Sequence, residues 1–222
     1  DRVAIGSQVS VFLALVAAAA PDGAEVLCVD GDFASIVMPF VAHAPRGVRL
    51  RSVPHDALAE EVRPGTWAVV YANVQSATGA VVDHTAVAAA AAEVGALTVC
   101  DATQSLGWRA VQAAAADMVV CHAYKWLCSP RGVAFAAISD RLASVMAPLH
   151  AGWYSGADPW ASCYGHGNAV ADDATRFDVS PAWQAFVGAA PALELFARLD
   201  SAAATAHTTR LGRRLLRDER QG

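Results

Sequence analysis

Lys125 is the only lysine in a 222-residue chain that also carries fifteen arginines. A guanidinium supplies charge but stays protonated and is a poor nucleophile, so chemistry that needs a primary amine has one place to reside. Lys125 follows the apolar run 118–121 in the segment His122-Ala123-Tyr124-Lys125-Trp126. A second apolar run, 97–100, leads into Asp101-Ala102-Thr103-Gln104-Ser105. A carboxylate at the tip of a buried strand needs a cation or several hydrogen bonds. If the two runs are neighbouring strands, Asp101 and Lys125 share one sheet edge, either flanking a ligand or as a plain salt bridge. Three more strand ends carry polar groups. Gly6-Ser7-Gln8 opens a helix whose free N–H groups suit a phosphate, or serve as an ordinary cap. Gly31-Asp32-Phe33-Ala34-Ser35 offers an aromatic face, and Gln75 lies in Asn73-Val74-Gln75-Ser76-Ala77-Thr78-Gly79.

These residues need a frame that gathers strand ends. Strand-like runs at 2–5, 25–29, 48–53, 67–72, 97–100, 118–121 and 133–138 alternate with Ala-rich helical runs at 7–20, 35–44, 85–94, 140–147, 183–199 and 202–217. That alternation predicts a mostly parallel sheet of seven strands between two helical layers, a three-layer α/β/α domain whose ligands collect at the carboxyl ends of the strands. The stretch 151–178, rich in Gly, Trp, Tyr and Asp, is long for a connection and reads as a functional loop.

Composition narrows the function. The chain is 55% hydrophobic and 17% charged, with a net charge of −5, which allows a large core and argues against a nucleic-acid or anionic-membrane binder. Arg210, Arg213, Arg214 and Arg217 suit the solvated C-terminal end of a helix. The longest apolar run, 11–20, is too short to span a bilayer. Five cysteines without a C-x-x-C pair, three of them in apolar strand-like runs, suggest free thiols in a reducing, cytoplasmic setting. His43, His55, His84, His150, His166 and His207 show no metal-ligand spacing, and no metal is expected. No G-x-S-x-G elbow, Walker A or G-x-G-x-x-G motif is present. The chain starts at Asp1 without Met and stops in an Arg-rich segment, so it is expected to be part of a longer protein.

The block Asp101-Ala102-Thr103-Gln104-Ser105-Leu106-Gly107, followed by Ala116-Asp117 and the run from Met118 through Lys125 to Pro130-Arg131-Gly132, resembles the cofactor site of class V aminotransferases. These are fold-type-I pyridoxal-phosphate (PLP) enzymes whose relatives include cysteine desulfurases, selenocysteine lyases and kynureninase. The resemblance runs from Gly6 to about Leu199, and it implies a PLP-binding large domain over 1–199. Residues 200–222 would then start a helix leading to a C-terminal small domain. It implies that Lys125 forms the Schiff base and shuttles the α-proton, and that Asp101 pairs with the pyridine nitrogen. Gln104 and Gln75 would serve the 3′-oxygen, and Ser7, Gln8 and His122 the phosphate. Phe33 would stack on the ring, as in kynureninase-like members, where desulfurases usually carry His. Tyr124 precedes the lysine as in that same branch and would also reach the phosphate.

The resemblance further implies a homodimer with the site at the subunit boundary, and Gly152-Trp153-Tyr154 resembles a segment that reaches the neighbour's site. Where relatives often carry a Gly-Thr pair for the neighbour's phosphate, this chain has Val179-Ser180. The leading functional expectation is an aminotransferase acting on an amino acid or related amine. The alternatives are a PLP-dependent lyase, by C–S or kynureninase-like C–C cleavage, and a catalytically idle homologue.

Overall fold

The computed structural model describes residues 2–218. Seven strands form one sheet, β1 (Val3–Gly6), β2 (Glu25–Val29), β3 (Arg49–Val53), β4 (Thr66–Ala72), β5 (Leu97–Asp101), β6 (Met118–His122) and β7 (Ala134–Ile138), in the order β1-β7-β6-β5-β4-β2-β3. β7 runs antiparallel to both its neighbours, and the other pairings are parallel. The helices are α1 (Val9–Ala19), α2 (Ala34–Val41), α3 (His84–Val94), α4 (Asp140–Ala143), α5 (Trp183–Arg198) and α6 (Ser201–Asp218).

Two cores follow from the alternation of side chains across each strand. On one face Val26, Cys28, Val70 and Val99 pack with Phe12, Leu13 and Val16 of α1, Ile36 and Phe40 of α2 and Leu142 of α4. On the other, Leu27, Val69, Tyr71 and Cys100 meet Val87 and Ala91 of α3, while Cys121 and Val133 meet Ala189 of α5. The fold is therefore the three-layer α/β/α arrangement expected. Helix α3 shows how local sequence fixes an element. The Asp83 side chain accepts from Thr85 and Ala86 N–H at its start, and Gly95, at φ 72°, takes the left-handed conformation that ends it.

Register aligns the ends that matter. Ala72 of β4 pairs with Asp101 of β5, Asp101 with Val120 of β6, His122 of β6 with Ala134 of β7, and Ala134 with Gly6 of β1. Reversal at β7 turns β1 back parallel to β6, so the start of α1 lies at the same edge as Asp101 and His122. Among the boundaries that differ from expectation, two have a clear local cause. β5 includes Asp101, because that residue is paired on both sides. The helix expected over 140–147 ends at Ala143: Val145 N–H bonds to Leu142 O, three residues back, and the Ser144 hydroxyl donates to Arg141 O at 2.7 Å. No described helix is long and apolar enough to cross a membrane.

Candidate active site

The ends of β4, β5 and β6 open into a pocket of about 140 Å³ lined by Asp101, Gln104, His122, Tyr124 and Lys125, with Phe33 and Gln8 from the two helix starts. Asp101 forms its buried wall. Thr103 N–H donates to Asp101 Oδ1 at 2.8 Å, and His122 N–H donates to Thr103 Oγ1 at 3.0 Å, so Thr103 ties β5 to β6 beneath the pocket. Burial pushes the Asp101 carboxyl up to about 6; hydrogen bonds from Thr103 oppose the rise, Asp32 adds to it and Lys125 counters it. A carboxylate so placed lacks a close cation and would gain most from one.

Lys125 is half-buried, its Nζ 5.4 Å from the centroid of the Phe33 ring and 5.8 Å from that of Tyr124. Its amine makes no hydrogen bond or ion pair among the described residues and is available to a ligand. Phe33 lines the pocket and is 46% exposed, so its ring face is open to a ligand. Its position is set by Asp32, whose Oδ1 accepts from Phe33 N–H at 2.8 Å and whose Oδ2 accepts from Ala72 N–H at 2.9 Å. Asp32 thus clamps the entry of α2 to the end of β4, and burial raises its own pKa.

Gln104 is oriented by an indole. Trp126 Nε1–H donates to Gln104 Oε1 at 3.2 Å, which leaves the amide NH₂ as the free donor. Behind it Gly107, at φ 113°, lets the chain pass Trp126; a Cβ there would lie 2.9 Å from the Trp126 carbonyl oxygen. His122 stands edge-on to Tyr124 with ring centroids 4.4 Å apart, and its buried Nε2 has no partner. Burial lowers the His122 pKa, helped by Arg131 and Lys125, so the ring is neutral near pH 7.

Two of the expected site residues lie apart from the others. Gln75 does not line the pocket: its Nε2 donates to Gly31 O at 2.7 Å, and its Oε1 accepts from Ala77 N–H at 2.5 Å and Thr78 N–H at 3.1 Å. The buried amide is consumed in holding two loops together, and the next residue, Ser76, reaches the pocket instead. Ser7 is exposed ahead of α1 and also lies outside the pocket lining, whereas Gln8 is in it. Gln75→Ala should therefore act on stability. Loss of three hydrogen bonds from a buried site is expected to cost about 2 kcal/mol, lowering Tm by about 4–8 °C in a thermal melt.

With this geometry in view, comparison with known proteins is informative. A model of the aminotransferase class-V family matches residues 6–218. The chain belongs to the class V aminotransferase family. It is 31% identical over 208 residues to a kynureninase from Deinococcus radiodurans, covering 90% of this chain and 50% of that protein. Among solved structures, the cystine C–S lyase C-DES in complex with cysteine persulfide superposes with a TM-score of 0.78 at 23% identity, covering 91% of this chain and 57% of the other. A cysteine desulfurase from Thermococcus onnurineus gives 0.76 at 21%, covering 89% and 52%. The chain thus spans about half the length of these relatives.

The family's cofactor is PLP, and the residues present fit it. An aldehyde needs a free amine, which Lys125 offers, and a protonated ring nitrogen needs a buried carboxylate, which Asp101 offers. A flat ring needs an apolar face, which the exposed Phe33 offers. A phosphate needs unengaged donors, and the orphaned His122 Nε2 lies beside the start of α1, a helix with no side-chain cap and no acidic residue in its first turn. Sequence reasoning passed over Asp32, Ser76, Thr103 and Arg131. The first three lie within quoted strand-end segments, but which of them face the pocket depends on loop geometry.

Proposed function

We propose that the protein is a PLP-dependent enzyme acting at the α-carbon of an amino acid, with Lys125 as the residue that carries the cofactor and moves the α-proton. The observation that carries this reading is the free Lys125 amine set in one pocket with the buried Asp101 carboxylate. When bound there, PLP supplies an electron sink for the electrons left on the α-carbon. Asp101 holds a proton at the ring nitrogen and keeps its own charge satisfied. Gln104 donates its free NH₂ to the ring's oxygen substituent, Phe33 covers one ring face and excludes water, and His122 with Gln8 takes the phosphate end. The Lys125 amine would be the base and acid within reach of the α-proton.

Of the reaction types, cleavage of a side-chain bond in the kynureninase manner has specific support. Phe33 and Tyr124 resemble the residues that kynureninase-like members carry at these places, their rings flank the Lys125 amine, and the curated relative at 31% identity is a kynureninase. Kynurenine, or an amino acid with a comparable carbonyl on its side chain, is the substrate to try first. Transamination is the second reading, since the family takes in aminotransferases as well as lyases. The fate of the amino group separates them. A lyase leaves the cofactor in its aldehyde form and releases a side-chain fragment over many turnovers, whereas a transaminase stops after one equivalent of donor with the cofactor as pyridoxamine phosphate. Neither change, across a panel of amino acids with PLP bound, would overturn the reading in favour of an idle homologue. We further propose a homodimer in the cytoplasm, with residues 1–199 as the cofactor domain and α6 leading toward a further small domain.

A further inference from the structure

Arg131 lines the Lys125 pocket, yet nothing so far gives it a role. Arg2, Arg46, Arg51, Arg63 and Arg141 each find a carboxylate within 4.0 Å. Arg131 makes neither a salt bridge nor a hydrogen bond among the described residues. Its one close partner is the ring of Tyr124, over which the guanidinium carbon stands 4.1 Å from the centroid. Tyr124 therefore carries Arg131 on its ring and His122 edge-on to it at 4.4 Å. Stacking of this kind holds a guanidinium flat and leaves its N–H groups free to point elsewhere.

The sheet register locates this cluster. Arg131 lies three residues before Ala134, which pairs with His122 on one side and Gly6 on the other. Arg131, the unpartnered Nε2 of His122 and the opening turn of α1 thus collect on the β1–β7–β6 side of the pocket. Asp101 lies on the opposite side, on β5. That corner holds a fixed cation, a neutral imidazole and free helix N–H groups, and the pocket's carboxylate faces it from across the site. Its chemistry suits an anion with several acceptor oxygens.

We propose that Arg131, held flat by Tyr124, is a binding residue for the phosphate of the cofactor. This rests on the pocket being the PLP site. A carboxylate of the substrate is the other anion such an arginine would accept, and the test separates the two.

The full-length protein is stripped of cofactor and titrated separately with PLP and with pyridoxal, which has the same aldehyde and ring but no phosphate. Binding is read from tryptophan fluorescence and from the visible band. Arg131→Gln is expected to weaken PLP about 10- to 100-fold, the range for a lost charge-assisted hydrogen bond, and to change pyridoxal by less than about twofold. Inorganic phosphate should compete with PLP in the wild type and much less in the variant. Arg131→Lys, which keeps the charge but not the planar fork, should fall between them. The assignment is overturned if Arg131→Gln leaves PLP affinity unchanged, including the case where only the substrate KM rises, or if PLP and pyridoxal weaken equally. A wild type that binds neither compound would instead overturn the reading of the pocket itself.

Discussion

Lys125→Ala is expected to lower turnover of the full-length enzyme by about 10⁴-fold while leaving Tm within a degree or two of the wild type. Both halves follow from its surroundings. The amine makes no hydrogen bond or ion pair in the described fold, and its ring contacts, 5.4 Å to Phe33 and 5.8 Å to Tyr124, are too long to hold the pocket together. Stability therefore loses little. Activity loses both the covalent anchor and the amine placed to move the α-proton, Lys125 being the one lysine in these 222 residues. The variant should still bind PLP through Asp101, Gln104, Phe33 and the phosphate corner, but without a borohydride-stable link. Added methylamine should restore part of the rate, since a free amine can do the proton transfer that the missing side chain performed. Steady-state assays with and without the amine check this, and unaltered turnover would remove Lys125 from its role.

The Asp101→Asn variant should show opposite effects on activity and on stability. Turnover is expected to fall by about 10²- to 10⁴-fold, because an amide cannot hold a proton at the ring nitrogen. The cofactor-free protein should become more stable. In the wild type, burial lifts the carboxyl from its ordinary 3.8 to about 6, so the folded chain binds this proton more tightly than the unfolded chain does. Stability conferred by Asp101 is therefore greatest below about pH 4, is lost as pH rises toward 6 and stays lost above it, a difference of about 3 kcal/mol. The Asn variant has no such titration. Denaturant melts of cofactor-free proteins should coincide near pH 4 and separate in favour of Asn above pH 6. Loading PLP, whose ring nitrogen provides the cation Asp101 lacks, should erase the gap.

Much of this architecture is legible in the sequence because it depends on short-range pattern. Apolar runs such as 25–29 and 118–121, broken by Ala-rich helical stretches, fix a parallel sheet, and the polar residues at their ends are carried to one edge whatever the loops do. Asp101, His122 and Lys125 were located in this way. Residues in the connections were less accessible. Gln75 and Ser76 are adjacent and both polar, and only the course of the loop decides that Gln75 turns back to bind Gly31, Ala77 and Thr78 while Ser76 faces the pocket. Arg131 was hidden for a different reason. Pro130-Arg131-Gly132 closes the recognised block, but nothing in that pattern says which way the arginine points, and its value comes from the Tyr124 ring beneath it. Asp32 likewise looks like a turn residue until its second oxygen is seen to reach Ala72 across 40 positions of sequence.

The most direct test is to load the full-length protein with PLP, reduce it with borohydride and map the phosphopyridoxyl group by mass spectrometry. One modified peptide, carrying Lys125, present in wild type and absent from Lys125→Ala, is the predicted result. A label elsewhere, or no label although PLP is bound, would contradict the assignment of this pocket.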